Sequence, residues 1–122
     1  MNENDSYIFD VELPVKWEFS GALTWITGWF ISKTDAWFSD IRAVTDGRVH
    51  LGILGLPRPD KESQFRGWNG LPHAGFVLQV LPPSSARELR LELLDSGGNW
   101  VEICRTKIKL TLVRDGDTAP RV

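Results

Sequence analysis

Few residues in this chain are of types that do acid–base, nucleophilic or metal chemistry. There are two histidines, His50 and His73, one cysteine, Cys104, and sixteen Asp and Glu. His50 lies in an apolar run and His73 ends a long irregular stretch. A lone His in such places is more often a surface or satisfied core residue than a base or ligand. No His-Glu-x-x-His, no Gly-x-Ser-x-Gly and no phosphate-cradling glycine loop occurs. A single thiol makes neither an intrachain disulfide nor a zinc site of two thiolates. Cys104 sits inside an apolar strand and reads as a packed small hydrophobe. Paired carboxylates could cleave a glycosidic bond. Asp10 and Glu12, however, share an exposed strand face, where solvated charge is the ordinary reading. Asp40, Asp46 and Asp60 fall at turns, where Asp bonds the local backbone. These residues predict no catalytic group, no metal site, no cofactor and a chain that is not an enzyme.

Binding chemistry is better represented. The chain carries six tryptophans: Trp17, Trp25, Trp29, Trp37, Trp68 and Trp100. Trp25 and Trp29 lie in the most apolar run and are expected in the core. Trp17, Trp37 and Trp68 fall in loops or at strand ends. An indole there either caps the end of a sandwich or offers a flat face to the C–H face of a sugar ring. Trp68 is the best candidate for exposure, within the polar stretch Arg66-Gly67-Trp68-Asn69-Gly70. Arg58 projects from Gly55-Leu56-Pro57-Arg58-Pro59-Asp60, a segment stiffened by two prolines. An Arg so held can clamp a carboxylate or phosphate. The plainer reading pairs it with Asp60 or another acid and pins the loop. The candidate ligand-binding residues are therefore Trp68, Arg58, Trp17 and Trp37.

Short strands must position these groups. Tyr7, Phe9, Val11 and Leu13 alternate with Asp10 and Glu12, which predicts a half-buried strand ended by Pro14. Over 22–32 both faces are apolar, Leu23, Trp25, Thr27, Trp29 and Ile31 on one, Ile26, Gly28 and Phe30 on the other. That predicts a central strand covered on both sides. Gly28 marks a bulge or the close approach of another backbone. Asp46-Gly47, between apolar runs, predicts a tight hairpin. Gly55 to His73 has no period and is long for a connection inside a domain. Ala74 to Leu81 returns to strand, with Gly75 giving close backbone approach. In Ser84 to Leu94 helix-forming residues compete with a clean alternation of Leu89, Leu91 and Leu93, and the alternation favours strand over 88–95. Trp100 to Val113 holds a strand pair or one bent strand. The predicted core is Phe9, Val11, Leu23, Trp25, Trp29, Ile41, Phe76, Leu78, Leu91, Leu93, Ile103 and Leu110. About seven strands with regular turns imply an all-β, immunoglobulin-like antiparallel sandwich over 1–113, with 114–122 a linker or loose tail.

The 122 residues suit one domain, and fourteen Lys and Arg against sixteen Asp and Glu leave a net charge of −2. A nucleic-acid module needs a basic surplus, so no nucleic-acid partner is expected. No apolar stretch is long enough to span a membrane. The polar start lacks a secretory pattern, and the single cysteine fits a reducing compartment, so a cytoplasmic location is expected.

Several segments together carry a likeness: Phe9-Asp10-Val11-Glu12-Leu13-Pro14, Gly28-Trp29-Phe30-Ile31, Ile41-Arg42, the Asp46-Gly47 turn, Leu56-Pro57-Arg58-Pro59-Asp60, Gly75-Phe76, and Leu91-Glu92-Leu93-Leu94-Asp95 with Gly98-Asn99-Trp100. Over most of 7–113 the chain resembles an immunoglobulin-like accessory sandwich found beside bacterial glycosyltransferases. The resemblance implies a non-catalytic module that engages a glycan or an adjacent catalytic domain. It carries over no catalytic residue. Exposed aromatics and arginine also suit a protein–protein or inter-domain interaction module with no glycan ligand.

Overall fold

The alternation over residues 7–13 becomes a strand because one face has a core to enter and the other meets water. In the computed structural model, which describes residues 1–65 and 73–111, this strand is β2 (Tyr7–Leu13), preceded by the short β1 (Asn2–Glu3). There follow β3 (Glu18–Phe19), β4 (Thr24–Ser32), β5 (Phe38–Thr45) and β6 (Arg48–Leu56). A six-residue helix, α1 (Pro59–Gln64), interrupts the long connection. The chain then forms β7 (Gly75–Val80), β8 (Glu88–Asp95), β9 (Trp100–Lys107) and β10 (Lys109–Leu110). The all-β expectation holds. Trp68 and the predicted tail at 114–122 lie outside the described residues.

Eight strands form one hydrogen-bonded sheet in the order β1-β2-β4-β7-β6-β5-β8-β9, every pair antiparallel. The expectation was seven strands in two facing layers. Instead β6 pairs with both β7 and β5, so the two halves are joined edge to edge. The sheet curls over one core. Phe9, Ile26, Phe30, Phe76 and Leu78 from one half meet Ile41, Leu89, Leu91, Leu93 and Ile103 from the other. The parallel pair β3–β10 adds Phe19, while Ile108 joins the same cluster from just before β10.

Two glycines allow the strands this approach. A side-chain carbon on Gly28 would collide with the carbonyl oxygen of Asp10 across the β2–β4 ladder, and would stand 2.7 Å from the Phe76 ring. The predicted close approach is real. At Gly75 the added carbon would lie 2.9 Å from the Leu56 carbonyl oxygen and 3.0 Å from Arg58 Cγ. The β5–β6 hairpin turns at Asp46 and Gly47, with φ of 47° and 82°, as a two-residue turn of this kind requires.

The predicted core needs two corrections. Leu23 is 60% exposed and Trp25 is 54% exposed. Trp25 lies on the outer face of β4 and Leu23 just before that strand, both outside the main core that Ile26 and Phe30 enter. Trp29, on that same outer face, is buried, because a second cluster of Ile8, Ile31 and Ala74 surrounds it and Phe65 packs on it. Phe65 follows α1 directly. The outer face is thus covered at one end of β4 and open at the other.

Candidate functional site

Arg58 is the one charged group of the predicted site, and it is held by several hydrogen bonds. It precedes α1, and Pro59 opens the helix with φ already suited to it. Its Nη1 donates to Glu12 Oε1 at 2.6 Å and Nη2 to Glu12 Oε2 at 3.1 Å. The Nε and Nη2 atoms reach Asp60 Oδ1 and Oδ2 at 3.0 and 2.9 Å. The Arg58 backbone N–H donates to Glu62 Oε2 at 2.6 Å. Two bidentate contacts and Gly75 packed against its stem make Arg58 a pin that fastens α1 to β2. The expected internal pairing with Asp60 is present, and Glu12 joins it.

This pin has an acid signature. Hydrogen bonding to Arg58 lowers the Asp60 carboxyl from its ordinary 3.8 to about 2, aided by the Arg58 charge. The guanidinium is correspondingly raised. A depressed carboxyl contributes stability that is present above its unfolded value and lost as pH falls through the folded one. The Asp60 contribution is therefore whole above about 4 and lost toward about 2. Arg58→Ala is expected to return the Asp60 midpoint toward 3.8, read by NMR titration of its side-chain carbon. An unmoved midpoint would remove Arg58 as the cause.

The tryptophans divide. Trp17 is half-buried and packs on the main core, while its backbone carbonyl accepts from Lys109 at 2.9 Å. Trp37, just before β5, is 64% exposed. Trp100 is covered by the Arg42 guanidinium, 4.2 Å from its ring centre. Trp17, Trp37 and Arg58 belong to different segments of the chain.

Groups suited to catalysis are held by structure. His50 Nε2 meets Thr45 Oγ1 at 2.9 Å, and burial with the nearby Arg48 charge lowers its pKa. Cys104 borders a cleft of about 290 Å³ between the two edges of the curled sheet, lined also by Asn2, Glu3, Tyr7 and Arg105. Burial and the Glu102 charge raise the thiol, so it stays protonated and weakly nucleophilic. Among the described residues no three His, Cys, Asp or Glu side chains converge on a metal position. No helix among them is long and apolar enough to cross a membrane.

The feature that sequence reasoning missed is the open half of the outer face. Val49, Leu51 and Ile53 project from β6, and Leu51 and Ile53 are 72% and 57% exposed. In the ladder Ile53 lies opposite Val77, which lies opposite Thr27. Trp25 lies opposite Gln79. The patch therefore crosses the three central strands β4, β7 and β6. Its signal was the alternation of Val49, Leu51 and Ile53 with His50 and Gly52. Beyond it, on β5, β8 and β9, charges pair with one another: Arg42 with Glu92 at 2.7 Å, and Arg105 with Glu88 and Glu102 at 2.7 Å each. Comparison with family models, curated proteins and solved structures finds no match to this chain.

Proposed function

We propose that this chain is a non-catalytic accessory module whose work is docking. The observation that carries the reading is the exposed apolar face of Trp25, Val49, Leu51 and Ile53 in the middle of a sheet. Large contiguous apolar patches on soluble proteins mark interaction sites. The patch rests on paired strands, so it is a rigid surface and loses little entropy on binding. The sandwich reading fits this role. Support comes from strand order: of β2, β4, β5, β6, β7, β8 and β9 taken in chain order, the first, second, fifth and fourth are adjacent, then the third, sixth and seventh, the order an immunoglobulin sandwich would have. The added pairing of β5 with β6 joins the two groups. An interaction module beside a sugar-processing catalytic domain unites this face with the resemblance read from the sequence.

Chemical accessibility tests the reading. In a Cys104→Ala background, Leu51→Cys is expected to react freely with a maleimide in dilute purified protein. In the cells that make the protein it is expected to be protected several-fold. Equal reactivity in both settings would remove the docking role. A second reading, glycan binding, draws on one observation, the exposed indole of Trp37. Tryptophan fluorescence of the parent chain serves it: saturable quenching by added oligosaccharide that Trp37→Ala abolishes, with Leu51→Cys unprotected in cells, would shift the function to the sugar.

A further inference from the structure

We propose that the occupant of the open face is a second copy of this chain, packed sheet against sheet about a two-fold axis. The inference rests on the docking reading above and goes further by naming the partner. Two properties of the patch point to it.

The first is area. Trp25 is 54%, Leu23 60%, Leu51 72%, Ile53 57% and Val49 48% exposed. With whole side chains of roughly 150–250 Å² for the large ones, these leave on the order of 500 Å² of apolar surface. A standard interface takes roughly 800 Å² from each partner. A homodimer interface is roughly 65% apolar, so the patch matches the apolar share that one protomer supplies.

The second is the lack of an obstacle. Arg42, the ladder partner of Leu51, turns its guanidinium toward Glu92 and the Trp100 ring. Arg48, beside Val49, donates from Nη1 to the Leu81 carbonyl oxygen at 2.8 Å. Between Trp25 and Leu51 the polar group is Gln79, which is uncharged. An identical patch can therefore be laid on this one with both bordering guanidiniums already holding an acceptor.

Sedimentation equilibrium of the 122-residue chain tests the proposal from micromolar to millimolar concentration. The mass should rise from 13.8 kDa toward twice that value. Leu51→Glu places one carboxylate from each protomer within the apolar patch and should weaken the dimer roughly 100-fold or more. Its melting curve at low concentration should match the parent's, because the side chain is exposed in the monomer. Ile53→Glu gives an independent second variant. A parent chain that stays monomeric at millimolar concentration overturns the proposal. So does a dimer that both variants leave intact. Protection of Leu51→Cys in cells, beside a monomeric purified chain, would retain docking and assign the face to a different partner. Loss of both results would remove docking as well.

Discussion

Gly28→Ala is expected to remove a large part of the domain's stability. The added methyl has no free space: it would run into the Asp10 carbonyl oxygen on one side and the Phe76 ring on the other. Phe76 is buried and cannot swing into solvent. Either β2 separates from β4 or Phe76 leaves its place in the core. Overpacking of this kind costs about 1–3 kcal/mol, more where backbone must move. Here backbone is one of the colliding groups, so the upper figure applies. For a domain of this size each kcal/mol lowers Tm by roughly 4 °C, so a fall of about 10 °C or more is expected. Gly47→Ala is the control. It meets nothing within 4 Å but has a φ of 82°, so its cost is backbone strain alone. That is about 1 kcal/mol. If the two variants melted within a few degrees of each other, the close approach at Gly28 would not be what holds β2 against β4.

The strands that were legible in the sequence are those where period and punctuation agree. β2 and β8 carry clean alternation and end at turn residues, and their bounds match the expected 7–13 and 88–95. In β8, leucines on every second position outweigh the helix preference of Ala86, Arg87 and Glu88, because a core exists for the leucine face to enter. The elements that escaped are short. β1, β3 and β10 have two residues each, too few to show a period. α1 spans fewer than two turns, so no 3.6 period can appear. Its start was nevertheless marked, with Pro59 at the first helical position and Asp60 and Glu62 in the first turn.

Sites were harder to read than strands, for a physical reason. A strand's alternation tells which residues share a face but not what covers that face. Arg58 shows the same gap from the other side. Its local partner Asp60 is two residues away and was foreseeable. Its second partner, Glu12, is forty-six positions away and meets it only because β7 brings Gly75 under the loop. The outer patch depends on the strand order β4-β7-β6, which sets Trp25 and Ile53 on one surface although they are far apart in sequence.

Trp25 and Trp29 make this difference measurable. They stand one above the other on the same face of β4, and only Trp29 is covered. Phe65 packs on it with ring centres 5.4 Å apart, and Lys61 sits 4.9 Å above it. Trp29→Ala should therefore cost about 3–5 kcal/mol, the range for removing a buried large aromatic. The loss should be concentrated at α1, with amide exchange over residues 59–64 rising first. Trp25→Ala removes a half-exposed ring and should cost less than about 1 kcal/mol in the monomer. Trp29→Phe adds a second distinction. The indole Nε1 of Trp29 is buried without a hydrogen-bond partner among the described residues. An unmet buried donor costs about 1–3 kcal/mol, so exchanging indole for phenyl relieves that cost while giving up some packing. Trp29→Phe should thus lie within about 1 kcal/mol of the parent. Equal losses for Trp25→Ala and Trp29→Ala would mean that α1 and Phe65 do not set these rings apart. A large loss for Trp29→Phe would mean that its N–H is satisfied in solution. If the predicted order holds, α1 with Phe65 seals one half of the outer face, and the half holding Trp25 stays open, the face that the docking proposal assigns to a partner.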